Sequence, residues 1–417
     1  MPDLETEFDH LDVSGLSCGP GGPQTDGTGL DRRNRPALAK FHAPEIVFGP
    51  HSLGELGHCA RRVGARRPFL VTDHGLVDAG WVAEAVDHLR AAGLRPVVWQ
   101  DLTPNPKDHE IEAAYDEYVN SGSDVIVAVG GGSCIDAAKG VAILSGNGGR
   151  ILDFEGVDQV VNPIPPLVMA PSTSGTGADV SQFCIVTDTT HLTKVTILSR
   201  TLVPDISLID PRLLTTMPDW LNAATGLDAL THAMESFVSR AHNTLTDHHA
   251  LHAVHLVTRN LLATLLNPTE EKPRTAMAQG ALEAGMAFTN AILGVTHAMS
   301  HQVGGLLDAP HGVINGVLLP HVIRFNAEQD PSRYVPLAAA AGIDTEHRPA
   351  EEIANQLSER VRELADSVGV PRGLTALGVD EHNVAHLART TLKDACLATN
   401  PRDATESEIE ALFRSAM

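Results

Sequence analysis

Four short runs in the first half of the chain set the strongest limit on its fold. "PFLVTD" (68–73), "RPVVW" (95–99), "DVIVAVGGG" (124–132) and "PLVMAPSTSGTG" (166–177) are continuous in apolar residues rather than alternating. Alternation marks a strand with one face in water, whereas an unbroken apolar run predicts a strand covered on both faces, as in a parallel sheet between helices. Helical stretches separate the runs, which is the order of an α/β domain. After "TTMPDW" the pattern changes. "HHALHAVHLVTRNLLATLL", "AMAQGALEAGMAFTNA" and "EEIANQLSERVRELADSVG" repeat apolar residues at helical intervals, with few strand signals. No fixed period recurs, which argues against a solenoid. The expected organisation is a flexible extension over residues 1–38, an α/β dinucleotide-binding domain over 39–217 and an all-helical domain over 218–417. The extension contains "SCGPGGPQTDGTG", too rich in Gly, Pro and small polar residues to pack.

Charge and cysteine usage narrow the partners. The net charge of −22 opposes a nonspecific grip on nucleic acid or on an anionic membrane. Cys18, Cys59, Cys134, Cys184 and Cys396 are scattered and form no C-x-x-C pair, so a zinc ribbon or disulfide framework is not expected, and a reducing cytoplasm fits. No apolar run approaches a membrane span, and "MPDLETEFDH" is acidic where a signal peptide is basic.

Two glycine loops interrupt the α/β half. "GGGS" runs directly from the strand "DVIVAV" into the helical "CIDAAKGVAIL", which sets Gly130, Gly131, Gly132 and Ser133 at a strand-to-helix turn. Free N–H groups and the helix dipole there suit a diphosphate. "STSGTG" (172–177) follows the next strand and adds the hydroxyls of Thr173 and Thr176. Each loop alone is also an ordinary tight turn; the two together could flank one dinucleotide. There is no G-x-G-x-x-G, and Ala138 before Lys139 excludes a P-loop. Asp73 ends "PFLVTD", where a carboxylate either caps the turn or accepts from an adenosine ribose.

The helical half carries the metal-type residues. "VTHAMSHQVGGLLDAPHG" (295–312) holds His297, His301 and His311, the first two four residues apart and so on one helical face. "TGLDALTHAMES" sets Asp228 and His232 at the same spacing. A single such pair is usually a surface hydrogen bond. Asp228 and His232 with His297 and His311 would supply one oxygen and three nitrogens, a thiolate-free set suited to Fe²⁺ or Zn²⁺. His248, His249, His252 and His255 lack an accompanying carboxylate on their helix and read as solvated or structural.

"GGGSCIDAAK", "PSTSGTG", "GLDALTHAMES" and "THAMSHQVGGLLDAPHGVINGVLLPHV" together resemble, in order and spacing from about residue 40 onward, the iron-containing (group III) alcohol dehydrogenase family. The resemblance implies a Rossmann-like dinucleotide-binding domain plus an all-α metal-binding domain, an architecture shared with dehydroquinate synthase, with cofactor and metal in the cleft between them. It further implies metal ligands at Asp228, His232, His297 and His311, an active-site histidine at His301, and cofactor contacts at Asp73, Asn105, Gly131, Gly132, Ser133, Thr173, Thr176 and Lys194. Gln302 stands where the family often has Pro, and "GTGAD" where "GTGSE" is common, departures that bear on pocket shape and substrate.

The expected reaction is metal-dependent, NAD(H)-linked hydride transfer between nicotinamide and a small alcohol or aldehyde, including hydroxy acids and semialdehydes, in a cytoplasmic homo-oligomer. The metal acts as a Lewis acid on the substrate oxygen, and His301, one turn from His297, relays the proton. Asp73 favours NAD over NADP. Two rival readings are a dehydroquinate synthase-like lyase that recycles NAD and a noncatalytic metal- or nucleotide-binding protein.

Overall fold

Strands form where the unbroken apolar runs predict them, and two more are added at the sheet's far side. The computed structural model describes residues 40–191 and 193–417; the expected extension over 1–38 lies outside the described residues. The strands are β1 (Glu45–Phe48), β2 (Pro68–Val71), β3 (Val97–Trp99), β4 (Val125–Gly130), β5 (Gly156–Val157), β6 (Leu167–Pro171), β7 (Phe183–Asp188), β8 (Thr193–Leu198) and β9 (Ile206–Ile209). Six of them form one sheet in the order β1-β9-β6-β4-β2-β3, with every pairing parallel. The helices α1 (Leu56–Arg62), α2 (His74–Asp78), α3 (Trp81–Ala91), α4 (Asp108–Ser121) and α5 (Gly132–Asn147) connect its strands.

Both faces of this sheet are covered, which is why its central strands need no polar alternation. Phe69, Ile126 and Met169 pack with Ile111 of α4 and Ile135 of α5, while Leu70, Val127 and Val168 pack on the other face with Ala60 of α1 and Ala85 of α3. Fully burying each large side chain contributes roughly 1.5–3 kcal/mol before entropy is counted. The reading of "RPVVW" as a doubly covered strand is corrected: β3 is an edge strand of three residues, and Val98 is exposed because no layer covers it there. A second, three-stranded sheet, β5-β8-β7, was not legible as a parallel element. Its β7 and β8 pair antiparallel and bury alternate residues, the one-faced pattern.

Helices dominate from Asp219 onward: α6 (Asp219–Val238), α7 (Thr244–Leu266), α8 (Glu271–Ala291), α9 (Val295–Leu307), α10 (His311–Ala327), α11 (Val335–Ala340), α12 (Ala350–Ser367), α13 (Glu381–Thr391) and α14 (Glu406–Ser415). No helix among the described residues is long and apolar enough to cross a membrane. Every residue of α6 from Asn222 to Val238 is buried, so this helix is surrounded on all sides, and the charged groups it carries must find partners inside the protein. The histidine-rich stretch becomes α9, a turn through Asp308 in the left-handed region (φ 48°), and α10, whose first residue is His311. Gly312 lets α10 start against α6: a Cβ there would stand 2.0 Å from the carbonyl oxygen of Ala224. His249 and His252 of α7, read as lacking a carboxylate, both meet Glu283 of the neighbouring α8.

Candidate functional site

Asp228 and His232 are buried on α6, and their partners define the site. The Oδ1 of Asp228 lies 3.8 Å from Nε2 of His232, 3.7 Å from Nε2 of His297 and 3.7 Å from Nε2 of His311. On each ring the other nitrogen is engaged. Nδ1 of His232 meets the Gly175 carbonyl at 3.2 Å, that of His297 the Glu235 carboxylate at 2.6 Å, and that of His311 the Ser300 hydroxyl at 3.0 Å. With Nδ1 so engaged, each ring turns Nε2 towards Asp228 Oδ1; Asp228, His297 and His311 stand close enough together to share one ion, and His232 stands beside Asp228.

The charge balance of the cluster suits a cation. Burial opposes ionisation of Asp228, yet His232, His297 and His311 outweigh it and hold the carboxyl below its usual range. Burial pushes His232 down to about 4 in spite of Asp228, whereas Asp228 and Glu235 hold His297 up to about 9 against the same burial. Burial likewise pushes His311 well down, so two of the three imidazoles are held neutral beside an ionised carboxylate, and imidazole nitrogens with one carboxylate oxygen suit Fe²⁺ or Zn²⁺. Asn315, one turn into α10 from His311, donates from Nδ2 to Asp228 Oδ1 at 2.8 Å, while its own Oδ1 is buried without a partner among the described residues. An orphaned acceptor beside this cluster fits a bound cation.

Nucleotide-type groups gather at the carboxyl ends of β2, β4 and β6, adjacent strands of the parallel sheet and the usual crevice for such ligands. The two glycine loops touch: a Cβ on Gly132 would stand 2.8 Å from Cγ2 of Thr176. Among the described residues the hydroxyls of Thr173 and Ser174 are buried with no partner, as expected of groups that complete their bonding on a ligand. Lys194 of β8 donates to Asn105 Oδ1 at 2.9 Å, and the Asn105 backbone N–H donates to Ser133 Oγ at 3.1 Å. Asp73 caps α2, its Oδ1 accepting from the Leu76 N–H at 3.0 Å, and its Oδ2 accepts from the Cys134 thiol at 3.2 Å.

One cavity brings most of these residues together. Asn105, Gly132, Ser133, Thr176 and Lys194 line it from the α/β side, and Asp228, His232, His297, His301 and His311 from the helices. Asp73, Gly131 and Thr173 are not in its lining; Gly131 lies against Thr173, and Asp73 is tied to α5 through Cys134. His301 faces the cavity beside the cluster, its ring stacked on that of His311 with centroids 5.4 Å apart. Its Nδ1 is bonded to Asp394 at 2.9 Å, which leaves Nε2 as the nitrogen available to the cavity. Phe183, Phe288 and Leu293 supply an apolar wall.

Sequence reasoning missed Glu235, Asn315 and Asp394. The first two carried a signal: Glu235 lies seven residues beyond Asp228 and Asn315 four beyond His311, both helical same-face spacings. Asp394 lies 93 residues from His301 and carried none. The departing Gln302 reaches the same Asp394 oxygen at 3.4 Å. In "GTGAD", Asp179 accepts from Ser207 at 2.6 Å.

Comparison with known proteins agrees with this geometry. Residues 43–211 match a family model described as iron-containing alcohol dehydrogenase, and residues 222–417 match the model of the C-terminal part of the Fe-containing alcohol dehydrogenase family. The chain is 39% identical over 371 residues to a 1,3-propanediol dehydrogenase of Citrobacter freundii, covering 88% of this chain and 96% of that one. It is 32% identical over 377 residues to an NAD-dependent methanol dehydrogenase of Bacillus methanolicus, covering 90% and 99%. Among solved structures, an alcohol dehydrogenase from Oenococcus oeni superposes with a TM-score of 0.89 at 34% identity, over 91% of this chain and 100% of that one.

Proposed function

Because the chain belongs to the iron-containing alcohol dehydrogenase family, and is an oxidoreductase of the alcohol dehydrogenase and aldehyde reductase class, we propose that its Asp228, His232, His297 and His311 hold a divalent ion beside NAD(H). Fe²⁺ is the preferred ion, with Zn²⁺ as the alternative the same donors accept. The observation that carries the reading is the convergence of Asp228 Oδ1 and three Nε2 atoms in a cavity shared with both glycine loops. When bound, the ion supplies a Lewis acid to the substrate oxygen, and the nicotinamide supplies or takes the hydride.

The chain's own residues do the rest. Gly131, Gly132 and Ser133 at the start of α5 present N–H groups and a positive dipole end to the diphosphate, with Thr173 and Thr176 opposite. Asn105 and Lys194 hold the nicotinamide side of the nucleotide. His301 exchanges a proton with the substrate oxygen through Nε2 while Asp394 holds its Nδ1. Glu235, Ser300 and the Gly175 carbonyl orient the ligand rings. The apolar wall excludes water and favours a small, uncharged alcohol or aldehyde over a carboxylated one. We place the division between nucleotide and metal domains at residues 217 and 218, and read the protein as a cytoplasmic homo-oligomer.

The direct test is net turnover of NADH with a panel of short aldehydes, followed by reduced-nicotinamide absorbance. Loss of turnover on chelation and recovery with Fe²⁺ or Zn²⁺ is expected. A protein that binds NAD but never consumes NADH with any aldehyde would favour a lyase or a binding role instead.

Cofactor choice follows from Asp73. Beside the adenosine ribose its carboxylate accepts from hydroxyls and repels a 2′-phosphate, a penalty of several kcal/mol, and each 1.4 kcal/mol is about tenfold in binding. Serine keeps the capping oxygen for Leu76. Asp73→Ser should therefore fold normally, gain kcat/KM with NADP and lose it with NAD, moving their ratio by about 10-fold or more. An unaltered ratio would put Asp73 outside the ribose contact and leave it a helix cap.

A further inference from the structure

We propose that His301, Asp394 and Cys396 form a second cation site, which takes a thiophilic divalent ion of the Zn²⁺ or Cd²⁺ class and switches off the proton relay. The site is separate from the set around Asp228. One donor atom from each of the three residues lies within 4.8 Å of the other two, close enough to share one ion. Nδ1 of His301 is 2.9 Å from Asp394 Oδ2, and the Cys396 thiol also donates to the Asp394 carboxylate. Asp394 caps the 3₁₀ turn Ala395–Thr399, where its Oδ1 accepts from the Cys396 N–H at 2.9 Å, so a local turn brings carboxylate and thiol together. His301 and Cys396 both line the cavity, which gives an ion its way in.

The donor types choose the ion. Thiolate, imidazole and carboxylate are all zinc ligands, and three of them with a fourth position open to solvent make a complete protein contribution. The set around Asp228 has no thiolate, so a thiophilic ion distinguishes the two sites. Charge points the same way. The Asp394 carboxylate is largely buried, and among the described residues no Lys or Arg pairs with it; its partners are the His301 ring, the Cys396 thiol and, at 3.4 Å, the Gln302 amide. When a divalent ion binds, the thiol proton leaves to solvent, and thiolate and carboxylate together balance its two charges.

The ion acts through the tautomer of His301. With Nδ1 bound to it, the neutral ring carries its one hydrogen on Nε2, which then has no lone pair to take a proton from the substrate oxygen. The relay stops while the set around Asp228 is untouched. Occupancy of the site follows from its own geometry, whereas the switch rests on the relay role proposed above for His301.

The test adds Cd²⁺ to the full-length, metal-loaded protein and reads two signals, the ultraviolet charge-transfer absorbance of a thiolate–cadmium bond and turnover. Wild type should develop the absorbance to saturation while turnover falls by about 10²-fold, the scale of losing a positioned acid or base. Cys396→Ser, close to cysteine in size, should lack that absorbance and keep most of its own Cd²⁺-free rate; Cys396→Ala serves the same comparison should serine disturb the fold. The difference between wild type and variant removes any signal from the other cysteines. Absence of a Cys396-dependent absorbance overturns the site. So does equal inhibition of wild type and variant, because the ion is then acting at Asp228 and its histidines. Absorbance that saturates while wild-type turnover is unchanged overturns the switch, and the relay role of His301 with it.

Discussion

His311→Ala is expected to lose its metal ion and, with it, turnover by on the order of 10³-fold. The argument is geometric: the Nε2 atoms of His232, His297 and His311 all face Asp228 Oδ1, and Asp228 is buried, so loss of one member leaves the others with little solvent to compensate. A Lewis acid at a developing alkoxide is worth several kcal/mol, and each 1.36 kcal/mol is tenfold in rate. Metal content by mass spectrometry and turnover should fall together. Glu235→Gln is the companion variant. Its carboxylate orients His297 rather than facing the centre, so affinity for the ion should weaken by about 10- to 100-fold without the site being abolished. Full activity in a His311→Ala protein shown to contain no metal would reject the assignment.

The second large effect belongs to His301. His301→Ala should keep its metal, because its Nδ1 is held by Asp394 and its ring lies outside the set around Asp228. Turnover should nevertheless fall by about 10²-fold or more, the usual contribution of a positioned acid or base. Metal content separates this variant from a ligand variant. Wild-type rates in a metal-replete His301→Ala protein would remove the proton-relay role and leave His301 as a wall of the cavity.

Much of this was legible along the chain because it depends on local spacing. Asp228 and His232 share a face by virtue of four-residue separation, as do His297 and His301, and any helix through those segments presents them so. The first glycine loop was legible because a strand turns into a helix there without side chains in the way, whereas the second leads from β6 through turns to β7. The central strands β2, β4 and β6 were legible for a different reason: burial on both faces removes the polar alternation that other strands show. Where one face stays open, as in β3 and in the β7–β8 hairpin, the same rule had no purchase.

What sequence alone determined is therefore the type of each element and the groups each presents: an α/β half with two phosphate-type loops and a helical half with paired carboxylate and imidazole. Only the tertiary structure decided which groups meet. Whether Asp394 touches His301 depends on how a turn 93 residues away packs, and whether Glu235 locks His297 depends on α9 starting beside the last turn of α6. Lys139 illustrates the same limit: the residue before it excluded a P-loop and said nothing of its partners, and packing turned it inward to three carbonyls. Hydrogen bonds between distant segments carry no periodic signature, because their partners are chosen by how buried helices and strands fit together and by the cost of leaving a buried polar group unpaired.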